Sequence, residues 1–119
     1  MTNPTIAAAI LALAMPTAAA SVETALSLEA QAKLRCAAAF ALVSHGQDNG
    51  NEAAKKWPDV SERGREFFVR ALAGLMDETG LDREGIGRLV SAEAQKLWDK
   101  DEIDDVMPAC LVMLESSGL

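Results

Sequence analysis

Residues 36–43 read Cys-Ala-Ala-Ala-Phe-Ala-Leu-Val, eight apolar side chains without a break. A helix that is apolar all round requires burial on several sides. Eight residues are too few to cross a bilayer, which takes about 20 in a helix. The stretch therefore predicts a central helix against which the others pack. Upstream, Ser27 is the expected N-cap of a helix from Leu28 to His45. Leu28, Ala32, Cys36, Ala39, Phe40 and Val43 share one face of it, and Glu29, Lys33 and Arg35 decorate its first half.

Downstream, His45-Gly-Gln-Asp-Asn-Gly-Asn51 is a cluster of turn residues and reads as a plain surface loop. It is not a helix-loop-helix calcium site. With Asp48 as first ligand, Ala53 stands where a Gly is needed and Asp59 where a Glu is needed. Trp57-Pro58 follows, and Trp57 is expected to pin this connection onto the domain.

Helical periodicity continues through the remainder, with no run of alternating apolar and polar residues. A second helix is expected over Val60–Thr79. Asp59 and Glu62 have capping-box spacing, with Ser61 a competing cap. Phe68, Ala71, Leu72, Leu75 and Met76 form its apolar face, widened by Phe67 and Val69. Gly64 weakens its first turns by about 1 kcal/mol relative to Ala. At Thr79-Gly-Leu-Asp82 the local signals agree. Gly80 suits the left-handed position past a helix end, Leu81 packs back on Met76, and Asp82 caps the next helix. A tight helix-helix hairpin follows.

The third helix, Arg83–Asp99, lines Ile86, Leu89, Val90, Ala94 and Leu97 on one face, with Trp98 at the rim. The fourth, Glu102–Glu115, carries Ile103, Val106, Met107, Cys110, Leu111 and Leu114 at i, i+3, i+4, i+7, i+8 and i+11. Pro108 removes an amide donor within that stripe, and a kink is the expected response. The fold class is therefore all-α: a small orthogonal or up-down bundle of about four helices.

Cys36 and Cys110 are the only cysteines, so one bridge is the only connectivity. Both fall on apolar faces, so bridge and packing agree. A loop of this length stabilises by about 4 kcal/mol in the chain-entropy account. Such a bridge implies an oxidising compartment. Residues 1–20 point the same way. They carry no charged side chain, Ile6–Met15 is an unbroken apolar run, Pro16 ends any helix, and Ala18-Ala19-Ala20 supplies small residues. The expectation is a cleavable secretory signal over 1–20, cut after Ala20, and a single helical domain over 21–119. That gives a periplasmic or secreted protein with no stable membrane insertion after signal removal.

Eleven Lys and Arg stand against 18 Asp and Glu, a net charge of −7. That argues against nucleic acid as partner, since phosphate contact needs a positive footprint. With one His and no Tyr, acid-base side chains are scarce. Two distant Cys and one His cannot build a zinc site. No phosphate-loop, dinucleotide, zinc-protease, nucleophile-elbow or haem-attachment pattern occurs. No cofactor and no metal are expected. Asp99, Asp101, Glu102, Asp104 and Asp105 crowd the start of the last helix, where carboxylates suit the backbone dipole. Arg63, Phe67 and Arg70 fall on one side of the second helix and form a candidate contact patch with cation–π character, provided Phe67 is exposed.

In size, address and paired cysteines the chain is similar in general plan to the periplasmic acid-stress chaperones, with no motif that carries residues over. The expected function is non-catalytic: a partner-binding, chaperone or regulatory module for another envelope protein. The alternatives are a carrier of a small apolar ligand between helices, and an inhibitor or immunity-type protein.

Overall fold

The computed structural model describes residues 25–119. The expected signal segment and its cleavage after Ala20 lie outside these residues. The described chain is all-helical: α1 Leu28–Asp48, α2 Glu52–Lys55, α3 Arg63–Thr79, α4 Arg83–Asp99 and α5 Ile103–Ser116. The short α2 is the one helix beyond the expected set. None of these helices is long and apolar enough to cross a membrane.

Helix α1 is the axis. It touches each of the other four, and Cys36, Ala37, Ala38, Ala39, Phe40 and Val43 are all buried. Its N-cap is Ser27, whose Oγ accepts from the Ala30 amide at 3.1 Å. The expected inward face needs correction at its start. Leu28 is 84% exposed, and the core contact there is made by Leu26, Ala30 and Leu34. Leu26 precedes the cap and folds inward, its carbonyl held by Gln31 Nε2 at 2.9 Å.

The expected loop at 45–51 is also different. α1 continues to Asp48, and α2 begins directly after Asn51, which caps it through Oδ1 to the Ala53 amide at 2.9 Å. Gln47 is the organiser. Its Nε2 donates to the carbonyls of Ala54, Trp57 and Pro58, and its Oε1 accepts from the Val60 amide. Gly46 lets α2 fold back this closely, because a Cβ there would stand 2.7 Å from the Ala54 Cβ. Turn-forming residues thus build a packed corner, since one amide side chain ties three of its carbonyls and one of its amides together.

Helix α3 starts three residues later than expected, at Arg63 rather than Val60. Asp59 Oδ1 accepts from the Ser61 amide at 2.9 Å, and the turn at 61–62 leads in without a side-chain cap on Glu62. Its deepest residues are Gly64, Phe67, Ala71 and Leu75, whereas Phe68, Leu72 and Met76 are half-buried and Val69 is 58% exposed. The inward arc of α3 therefore centres about one position earlier than its apolar pattern suggests. Gly64 shows why: its missing side chain lets α3 approach α1, where a Cβ would meet that of Phe40 at 3.3 Å.

The hairpin follows expectation closely. Gly80 has φ 72° and donates to the Met76 carbonyl at 2.8 Å, and Asp82 Oδ1 accepts from the Gly85 amide at 2.8 Å. Leu81 and Met76 pack against the same buried cluster. α5 continues through Pro108 as one helix, with Met107, Cys110 and Leu114 buried. Cys36 and Cys110 are joined, their Cα atoms 5.2 Å apart across 74 residues of sequence.

The core has two parts. One surrounds the disulfide with Phe40, Val43, Phe67, Met107 and Leu114. The other packs Leu26, Ala30 and Leu34 against Leu75, Ile86 and Leu89. Leu72 and Val90 touch both.

Candidate functional site

The expected contact patch on α3 does not assemble. Phe67 is 6% exposed, and its ring meets that of Phe40 edge-on, with centroids 5.3 Å apart. Arg63 turns to the C-terminal end of the chain, donating to Glu115 Oε1 at 2.8 Å and to the Leu119 main-chain oxygen at 2.9 Å. The Glu115 partner raises the Arg63 pKa, and Arg63 lowers that of Glu115. Arg70 is exposed and borders a shallow groove of about 300 Å³ whose charges are mixed: Lys33 and Arg70 with Glu29 and Glu78.

A larger groove, about 540 Å³, lies at the other end of α1. Leu42 and Val43 form its floor, Ala54 and Trp57 one wall, and Trp98 and Ile103 the other. Two features make this arrangement. The Gln47 corner folds α2 and Trp57 back over the last turns of α1. The sharp connection from α4 to α5 supplies the opposite wall. There Asp101 has φ 52°, a left-handed backbone that Asp and Asn tolerate better than most residues. Trp98, just before this turn, is 63% exposed, a large aromatic surface left in water.

The groove's charged rim is acidic. Asp104 Oδ2 accepts from Lys56 Nζ, and Asp104 Oδ1 accepts from Trp57 Nε1 at 3.3 Å. The Lys56 ammonium beside it holds the Asp104 carboxyl below the usual carboxylate range. The same ammonium stands 5.5 Å from the Trp57 ring centroid. Asp99 accepts from Gln95 Nε2 at 2.7 Å. The acidic run at 99–105 is thus divided. Asp104 and Asp105 stand in the first turn of α5 as the dipole argument expects, and Asp104 also ties α5 to the end of α2.

His45 lies on the groove's edge in the last turn of α1. Its ring stands 3.4 Å from Asn49 Nδ2, and Asn49 also donates to the His45 carbonyl at 2.7 Å. Among the described residues no cluster of three or more His, Cys, Asp or Glu side chains is arranged to hold a metal.

One buried charge escaped the sequence reading. Glu93 on α4 is 5% exposed, with Oε1 3.6 Å from Arg35 Nε and Oε2 3.4 Å from Lys96 Nζ. Its position among Leu89, Val90 and Leu97 on the inward stripe was the available signal. A carboxylate there needs a cation from the facing helix, and Arg35 was the partner in reach. The pair fixes α4 against α1 and lies apart from the groove. No protein-family model, curated protein or solved structure matches this chain, so the reading of its groove rests on its own residues.

Proposed function

We propose that this chain is an exported, non-catalytic contact module of the cell envelope, which holds a partner protein through the groove between Trp57 and Trp98. The observation that carries this is Trp98: a tryptophan 63% exposed, beside an apolar groove of about 540 Å³. Tryptophan is among the residues that dominate binding energy at protein contacts. A fixed disulfide bundle behind it supplies rigidity, so little ordering entropy is lost on binding. Export is supported by the residues of 1–20 and by a buried disulfide, which persists in oxidising compartments.

Two experiments test the parts separately. Mass analysis of the protein from a periplasmic fraction should give a chain beginning at Ser21, and an intact Met1 on protein retained in the cytoplasm would remove the export claim. A photo-crosslinking residue at position 98 should give a discrete adduct with an envelope protein. The same residue at Val112, equally exposed on α5, should not. Equal labelling from both positions would sink the assignment of the groove.

A second reading has one observation in its favour. The groove volume falls in the range of small-molecule sites, about 300–1,000 Å³. A carrier of an apolar ligand would show additional mass in native mass spectrometry of freshly isolated protein, lost in a Leu42→Trp variant that fills the floor.

A further inference from the structure

We propose that the occupant of the Trp57–Trp98 groove is a cationic peptide segment, one that places an apolar anchor between the tryptophans and a Lys or Arg onto Asp101. The inference rests on the groove being the contact site and adds the chemistry of what enters it. Its walls are apolar, and so demand an aliphatic or aromatic anchor. The groove-lining carboxylates are Asp101 and Asp104. Lys56 occupies Asp104, and among the described residues no side-chain hydrogen bond or ion pair engages Asp101. An open carboxylate therefore stands three residues from the exposed Trp98 face.

The chain already shows how such a corner receives a cation. Where α2 meets α5, the Lys56 ammonium pairs with the Asp104 carboxylate and stands 5.5 Å from the Trp57 ring centroid. Asp101 and Trp98 offer the same pair of groups, a carboxylate and an aromatic face, without an internal lysine shown on them. Charge complementarity extends beyond the contact. Residues 99–105 hold five carboxylates against Lys100 alone, and the whole chain carries −7. An acidic field of this kind speeds the approach of cations and repels acidic segments.

The two tryptophans are the only ones in the chain and there is no tyrosine, so intrinsic fluorescence reports on the groove directly. The probe is the blocked peptide acetyl-Arg-Leu-Phe-Arg-amide, titrated into the intact oxidised protein. Its controls are the same peptide with Glu, and with Gln, in place of both Arg. The cationic peptide should shift the tryptophan emission saturably and the acidic one should not. Trp98→Ala should weaken binding at least about tenfold, as loss of an anchor does. Asp101→Asn keeps a residue that accepts the left-handed backbone and removes only the charge. It should weaken the cationic peptide about threefold and leave the Gln peptide unchanged. Raising NaCl to about 0.5 M should erase most of the difference between the cationic and Gln peptides.

Equal affinity for the cationic and Gln peptides would overturn the cationic assignment while leaving the groove as a contact site. No binding of any peptide would overturn it too, and the crosslinking from position 98 would then judge the contact reading alone. Concentration-dependent dimerisation that Trp98→Ala abolishes would give the groove to a second copy of this chain and end the proposal. Far-ultraviolet circular dichroism of each variant, expected to match the parent because both positions are exposed, guards against misfolding.

Discussion

Helix α1 meets its neighbours in two different ways along one rod. Its N-terminal half reaches the α3–α4 hairpin through large aliphatic side chains, Leu34 against Leu75, Ile86 and Leu89. From its middle onward it offers Cys36 and three successive alanines, and is held by a disulfide, one aromatic pair and closely approaching backbones. Alanines bury little area each, so contact there has to come from proximity. Gly46 and Gly64 permit that proximity, and the cross-link secures it. One helix can thus serve a core built by volume and a core built by closeness. The end built by closeness also carries the groove.

The largest expected effect separates the two ends at once. Replacing both cysteines with serine should cost about 4 kcal/mol in denaturant unfolding, by the chain-entropy account of a long loop. Hydrogen exchange should then rise first in Ile103–Ser116, while the hairpin around Gly80 stays protected. If α5 keeps its protection, Met107 and Leu114 hold it unaided, and the contrast between the ends is false.

The aliphatic end is tested next. Leu34→Ala should cost about 3 kcal/mol, since the cavity is walled by other large residues that cannot collapse into it. A loss under about 1 kcal/mol would show that volume matters there no more than at the alanine end. At the close-packed end, Gly46→Ala drives a Cβ to 2.7 Å from that of Ala54. It should cost about 2 kcal/mol as an overpacking change and alter Trp57 emission as α2 shifts. At the hairpin, Asp82→Ala should cost about 1 kcal/mol, the usual worth of an N-cap.

Acid gives the smallest effect. Asp104 and Glu115 have lowered folded pKa values. Their contribution to stability is full above the unfolded carboxylate values, near about pH 4, and is lost as pH falls through the folded ones. Stability measured from neutral pH downward should hold to about pH 5 and decline only below about pH 4. The tie of Arg63 to the chain end and the tie of Lys56 to α5 loosen there, while the disulfide remains. Because all four side chains are exposed to water, the decline should be shallow and flattened further by salt.

Much of the fold was legible in the residues themselves. The turn at 79–82 is decided within a helical turn on either side, because a left-handed glycine, a cap and a returning leucine act only on their neighbours. The extent of α4 and the stripe on α5 follow from period alone. The bridge follows from arithmetic, since two cysteines leave one connectivity. The groove was not legible. Trp57, Trp98 and Asp104 each stand out singly, but nothing in their own stretches of chain says that they line one groove. The fold-back at Gln47 is what brings Trp57 beside α5, and it works through carbonyls seven to eleven residues further on.

The extent of α4, the caps at Ser27 and Asp82, the hairpin and the bridge were written in the chain, because each depends on signals a few residues long or on counting. The packing decided the corner built on Gln47, which side of α3 faces inward, the burial of Glu93 against Arg35, and the placing of two tryptophans on one groove. A helix with a wide apolar arc can turn several ways toward a core at nearly equal cost. The choice is made by where the neighbouring backbones can approach. Here that is set at Gly64, close against Phe40 of α1, and at Gly46, close against Ala54 of α2.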